Sequence, residues 1–378
     1  MSGGSTFVGS LMPQRRIRAV YMRGGTSRAL FFHEADLPPA GEARDRILLA
    51  ALGSPDPYGR QLDGLGGGIS SLSKACIIGP PTHPEADVDY TFAQVDVRRP
   101  AVDYSGNCGN CSAAVGPFAI DEGLVTAVEG ETRVRIHNTN TKKLIAARVP
   151  VAGGEAAVGG DFELPGVAGH GARIALDFLD PGGAGSGRLL PSGRPQDAVE
   201  GLAASLVDAT NPVVFVRAAD LGLSGTELPE GLDGDRALAA RLEAIRVAGA
   251  TRMGIPGSAA TPKIALVASA AAFTALDGTR YGRERTDVVA RVISMGNCHR
   301  AFALTAAMCL AVAARIEGTV VRECVGEPVR AGDLRLGHPS GVLPIDAAVT
   351  VRHGEPHVEQ VTVYRTARRL MEGFVRIP

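Results

Sequence analysis

Short apolar runs separated by turn-forming residues recur through the first half of the chain, at 17–22, 29–32, 75–78, 88–95, 133–137, 144–149 and 173–176. Each reads as a strand. Two segments break that rhythm. Glu42–Leu52 has apolar residues at helical spacing followed by a Gly53-Ser54-Pro55 stop, whereas 111–122 is apolar nearly all round and predicts a helix buried on every side. A helix without a polar face, in a half otherwise made of strands, implies a sheet curled around it. The second half repeats the theme. Its strands are expected at 213–216, 264–267, 288–293, 347–351 and 361–364, with helices near 195–206 and 235–247 and a second all-apolar helix at 302–314. The fold class this pattern predicts is α+β.

A glycine-rich stretch at 182–193 is the expected crossing between the halves, which divides the chain into units 15–185 and 186–378. Residues 1–14, Gly/Ser-rich at their start, are expected to be a disordered tail. The two apolar helices are introduced by matching tripeptides, Gly106-Asn107-Cys108 and Gly296-Asn297-Cys298, about half the chain apart. Such a match suggests an ancient duplication, with two helix N-termini facing each other across a cleft.

Charge and composition narrow the function. Lysine plus arginine (39) nearly cancels aspartate plus glutamate (40), so no global field attracts nucleic acid or an anionic membrane, and an anionic ligand needs a local site. There is no Trp and aromatics reach only 4%, which disfavours a base-stacking surface. The six cysteines form no evenly spaced framework and sit among apolar neighbours, as reduced thiols of a cytoplasmic protein do. No secretory signal begins the sequence, and the best apolar stretch, 301–316, is too short for a membrane span.

Ser105-Gly-Asn-Cys-Gly-Asn-Cys111 places Cys108 at the entry to a buried helix. There, orphan N–H groups and the helix dipole favour negative charge, lower a thiol's pKa towards neutrality, and can grip a carboxylate. The plainer account is a small buried residue at a tight turn. Lys74 follows a glycine-rich loop and leads into an apolar strand, as a desolvated base or a carboxylate partner would, or as a strand-end lysine reaching for solvent. Arg23-Gly-Gly-Thr-Ser27 offers N–H groups, hydroxyls and a guanidinium suited to a carboxylate, and Ser294–Arg300 is its counterpart, with His299 and Arg300 at a helix start. Asp63 and His338 stand in turn-like settings where a structural role is expected. Cys108 and Cys111 have C-x-x-C spacing, but no second ligand pair accompanies them, so no metal site is expected; a thioredoxin-like redox role lacks the surrounding fold pattern. No dinucleotide fingerprint or P-loop is present.

Several longer motifs go further: Y-M-R-G-G-T-S (21–27), G-S-P-D-P-Y-G-R-Q-L-D-G-L-G-G (53–67), S-L-S-K (71–74), S-G-N-C-G-N (105–110), A-A-V-G-P-F-A-I (113–120), N-P-V-V-F-V (211–216), S-M-G (294–296), H-R-A (299–301) and R-T-A-R-R-L-M-E-G (365–373). By these the chain resembles the 2-methylaconitate isomerase, or PrpF, family from about residue 15 to the C-terminus. The resemblance implies a diaminopimelate-epimerase-like fold of two similar halves, each a curved, mostly antiparallel sheet around a central apolar helix, and it implies no cofactor. It also implies allylic isomerisation of a small unsaturated di- or tricarboxylate such as 2-methylaconitate or aconitate, with methylitaconate and 4-oxalomesaconate as alternative substrates. Lys74 and Cys108 would transfer the proton. Arg23, Gly25, Thr26, Ser27, Ser71, Ser73, Asn107, Gly109, Asn110, Ser294, Met295, Gly296, His299 and Arg300 would hold the substrate. Racemases of this fold place one thiol in each half, and Cys298 is offset from where a second thiol would act; Cys111 stands where the family pattern expects a small or apolar residue. An amino-acid racemase of the same fold and a non-catalytic accessory protein are the competing readings, and a homodimer is compatible with the sequence.

Overall fold

The computed structural model describes residues 13–258, 261–294, 296–326 and 332–378. Its α-helices among those residues are α1 (Glu42–Leu52), α2 (Gly109–Asp121), α3 (Pro229–Gly234), α4 (Arg236–Met253), α5 (Leu304–Ala313) and α6 (Val320–Val325). None is long and apolar enough to cross a membrane.

The strand Arg15–Gly24 turns back into Ser27–His33, which runs parallel to Lys74–Gly79; Val88–Val95 follows antiparallel, and Gly130–Asn138 lies parallel beside it. The second half has the same series. Leu202–Ala209 turns into Asn211–Arg217, parallel to Lys263–Ser269, then Val288–Ser294 antiparallel and Leu334–His338 parallel. A polar staple makes the repeat visible at atomic level. Asp87 accepts the backbone N–H and guanidinium of Arg135, and Asp287 does the same for Arg335, each across a span of 48 residues.

The sheets curl around α2 and α5, which share one continuous core. From Cys111 to Ile120 every residue of α2 is buried, and α5 is buried throughout except for Thr305. Small residues make that possible: a Cβ on Gly116 would lie 2.7 Å from Val149 Cγ2, so only glycine lets helix and sheet approach this closely. The outer faces are covered by α1 on the first half and α4 on the second. At the seam Ile174–Leu179 pairs with Glu355–Arg365, and the late strand Ala367–Ile377 pairs along the whole of Arg15–Gly24.

Three expectations need correction. Residues 195–206 are not helical. They form a hairpin of Asp197–Val199 and Leu202–Ala209, and the turn is Glu200-Gly201 with φ of 48° and 78°; two successive residues at positive φ make a two-residue hairpin turn that the alanine-rich spacing masked. The strands Leu334–His338 and Ala367–Ile377 were not anticipated, the latter because charged residues dominate its half-exposed face. Finally, the two Gly-Asn-Cys tripeptides are not structural equivalents. Cys108 is the N-cap of α2, whereas Asn297–Cys298 is a short strand and α5 begins only at Leu304, so the residue equivalent to Cys108 is Ala303. Most of the expected tail, 1–12, lies outside the described residues.

Candidate active site

The N-termini of α2 and α5 meet at the seam, where a Cβ on Gly109 would lie 2.8 Å from Leu304 Cδ2. Over the meeting point opens a cleft of about 470 Å³. Thr26, Ser27, Ser71, Lys74, Asn107, Cys108, Gly109 and Asn110 line it from the first half, and His299, Arg300, Thr305, His338 and Arg365 from the second. No aspartate or glutamate among the described residues lines it.

Lys74 begins its strand with the side chain buried. Its Nζ donates to Gln94 Oε1 and sits 5.0 Å from the centre of the Phe92 ring. The Gln94 Nε2 donates to the carbonyls of Ser73 (2.8 Å) and Ser70 (3.1 Å), which turns its oxygen towards Lys74. Cys108 has extended backbone (φ −111°, ψ 99°), and its Sγ accepts the N–H of Cys111 at 3.5 Å and lies 4.0 Å from Ser27 Oγ. The neighbouring Cys111 thiol, and then burial, push the Cys108 pKa well up; Lys74 and the Cys111 N–H pull the other way and lose. The lowering expected at a helix start is therefore overturned. Cys108 rests as a thiol.

A second polar group in the cleft is built from Asn110, Arg365 and the two histidines. Asn110 Nδ2 donates to Thr26 Oγ1 (3.1 Å), while its Oδ1 accepts Arg365 Nε (3.1 Å). Arg365 is buried and spends Nη1 on the Tyr364 carbonyl (2.7 Å); its Nη2 has no hydrogen bond among the described residues. Burial lowers its pKa to about 10, with Cys108 opposing, which leaves it cationic at neutral pH. Burial first, then the charges of Arg291 and Arg365 and the ring of His299, bring the pKa of His338 down to about 3. The pKa of His299 is lowered too, by burial and by Lys263, against the N–H of Ala301. Each imidazole accepts a backbone N–H at Nδ1, from Ser340 and Ala301 at 3.1 Å, so each neutral ring carries its proton on Nε2 and is a hydrogen-bond donor there.

The family profile described as "PrpF protein" matches residues 14–378. The chain belongs to the PrpF family. It is 44% identical to the 3-methylitaconate isomerase of Eubacterium barkeri, over 96% of this chain and 98% of that one, and 42% identical to the 2-methyl-aconitate isomerase of Shewanella oneidensis, over 97% and 98%. The 4-oxalomesaconate tautomerase of Pseudomonas putida is 40% identical over 97% of each. Among solved structures, a methylitaconate-delta-isomerase superposes with a TM-score of 0.86 at 43% identity, covering 97% of this chain and 96% of that one. A hydroxyproline epimerase from Agrobacterium vitis, at TM-score 0.53 and 14% identity over 97% and 93%, shows the epimerase-like fold alone.

In this PrpF-family cleft most of the expected residues come together, but not all. Arg23 points away: its Nη1 donates to the carbonyls of Gly25 and Thr366 and to Thr366 Oγ1, tying down the hairpin loop. Gly25 shapes that loop at φ 51°. Ser73 is buried behind the site, bonded to Gln61 and the Val95 carbonyl. Ser294 and Gly296 lie in the turn before His299 and do not line the cleft, and Met295 lies outside the described residues. Arg300 reaches the rim, paired with Glu230 at 3.1 Å. Sequence reasoning missed Arg365 and Gln94 and gave His338 a structural role. The signal for Arg365 was present in the motif at 365–373, where a buried arginine ends a strand beside two exposed or half-exposed ones.

Proposed function

We propose that this chain is a cofactor-independent isomerase that moves a proton across an allylic system in a small unsaturated di- or tricarboxylate, with Lys74 and Cys108 as the proton-transferring pair. The observation that carries the reading is the lining of the cleft, where the Lys74 amine, the buried Arg365 guanidinium, two neutral imidazole donors and the first turn of α2 at Gly109 and Asn110 converge and, among the described residues, no carboxylate lines the same cleft. Donors around a substrate carboxylate stabilise the dienolate that forms when an adjacent allylic proton leaves. With Cys108 resting as a thiol, Lys74 takes that proton and Cys108 delivers its own to the far end of the allylic system; passage of the proton from Lys74 to the Cys108 thiolate resets the pair. The position equivalent to Cys108 in the second half is Ala303, which disfavours a two-thiol racemase. Relatives of similar identity act on different acids, so 2-methylaconitate or aconitate leads the reading, with methylitaconate and 4-oxalomesaconate as alternatives. The six free thiols favour a cytoplasmic location.

Proton NMR in deuterium oxide with each of these acids tests the proposal. Deuterium should enter an allylic position of one substrate, and Lys74→Ala and Cys108→Ser should each slow that exchange by about 10²–10⁴-fold while keeping the fold. Exchange that survives both substitutions would sink the proposed pair.

A further inference from the structure

Cys111 takes no part in the isomerisation proposed above, yet it lies against the thiol that does. The extended backbone of Cys108 folds its side chain back over the first turn of α2, so that Sγ meets the N–H of Cys111 at 3.5 Å. A side chain that caps the third helical residue is thereby brought beside that residue's own side chain, and here that is a second thiol. The Cys111 thiol is the neighbour that does most to raise the Cys108 pKa, and burial, then Cys76, whose Sγ lies 4.0 Å from the Tyr90 hydroxyl, raise that of Cys111 in turn. Access separates them: Cys108 lines the cleft, and Cys111 is 1% exposed beneath it.

The geometry points to a dithiol modification site built on the catalytic cysteine: a hydroperoxide entering the cleft closes Cys108 and Cys111 into a disulfide, which stops isomerisation until a dithiol reductant reopens it. The loss of activity rests on the reading of Cys108 as a proton carrier. The Cys108 sulfur attacks the terminal peroxide oxygen, the O–O bond breaks, and water or an alcohol leaves as Cys108 becomes a sulfenic acid. Cys111 then attacks that sulfur, forming the S–S bond and expelling the oxygen as water. Two thiols lose two electrons and two protons, and the hydroperoxide takes up both. C-x-x-C at a helix start is the spacing at which such exchange proceeds between adjacent turns of chain. The neighbouring Cys111 thiol, and then burial, hold Cys108 as the thiol, so the attack, which needs the thiolate, speeds up as pH rises. A resolving thiol on the very residue whose N–H meets Cys108 Sγ keeps Cys108 from further oxidation.

The test is to expose the full chain to hydrogen peroxide and to measure intact mass, thiol-mapped peptides and isomerase activity on the same sample. The expected protein is lighter by two hydrogens, carries a Cys108–Cys111 cross-link, loses activity in proportion to that cross-link, and regains it with dithiothreitol. Cys111→Ala under the same treatment should gain oxygen atoms on Cys108 and stay inactive after reduction. Wild-type protein that gains oxygen instead, or cross-links a different pair, would overturn the site whether or not the variant folds. A Cys108–Cys111 cross-link that leaves activity intact would refute the switch and, separately, the assignment of Cys108 to proton transfer.

Discussion

His338 shows how a buried side chain that lines the cleft can burden stability. Its native pKa of about 3 lies below the unfolded value of 6.5, so between those pH values the unfolded chain binds a proton that the native ring refuses. Its contribution is therefore fully present above pH 6.5 and is lost as the pH falls, at up to about 1.4 kcal/mol per pH unit. Urea titrations at pH 7 and pH 5 should show this loss in the wild type and a smaller one in His338→Gln; equal slopes would mean that other groups dominate. Residues of this kind are hard to find in the sequence. Lys74 and Cys108 were legible because an apolar strand and a buried helix flank them, and a polar group entering such a segment needs a reason. Arg365 ends a strand that pairs across the seam at Ile174, His338 ends a strand that pairs within the second half, and Asn110 lies 255 residues from the arginine it binds.

At the level of elements, the hairpin between Arg15–Gly24 and Ser27–His33 is the part most tightly matched to the cleft. A Cβ on Gly25 would fall 2.2 Å from Asn110 Oδ1, at a φ of 51° that already disfavours any side chain. Gly25→Ala should cost about 1–3 kcal/mol in a denaturant melt and raise KM, because Asn110 must move and takes the Arg365 contact with it. Unchanged KM with lowered stability would confine the loop to a structural role. The helices were the legible elements, since α1, α2, α4 and α5 advertise themselves by spacing or by unbroken apolar sequence. The 195–206 segment was not, because its apolar alanines satisfy helical and alternating patterns alike and only the Glu200-Gly201 turn decides between them.

The two halves of the molecule repeat one strand series and carry the same internal staple. Asp87→Ala and Asp287→Ala should each cost about 1 kcal/mol, and the double variant should lose the sum, because the two sites share no partner. A clear departure from additivity in chemical denaturation would show that the halves couple through the shared core more strongly than their surfaces suggest. The sequence repeat that hinted at this architecture was the wrong one, Gly-Asn-Cys in non-equivalent turns, while the true repeat resides in strand order and pairing, which short motifs do not display. The pairing of Arg15–Gly24 with Ala367–Ile377 also sets an order of events during synthesis. Arg15–Gly24 is made long before its partner, so its own sheet stays open along that edge until Ala367–Ile377 has been synthesised. Closure of the first half is thus delayed by the slow search that such long sequence separations impose, and a nascent chain stalled before residue 367 should present Arg15–Gly24 to proteases that the finished protein excludes.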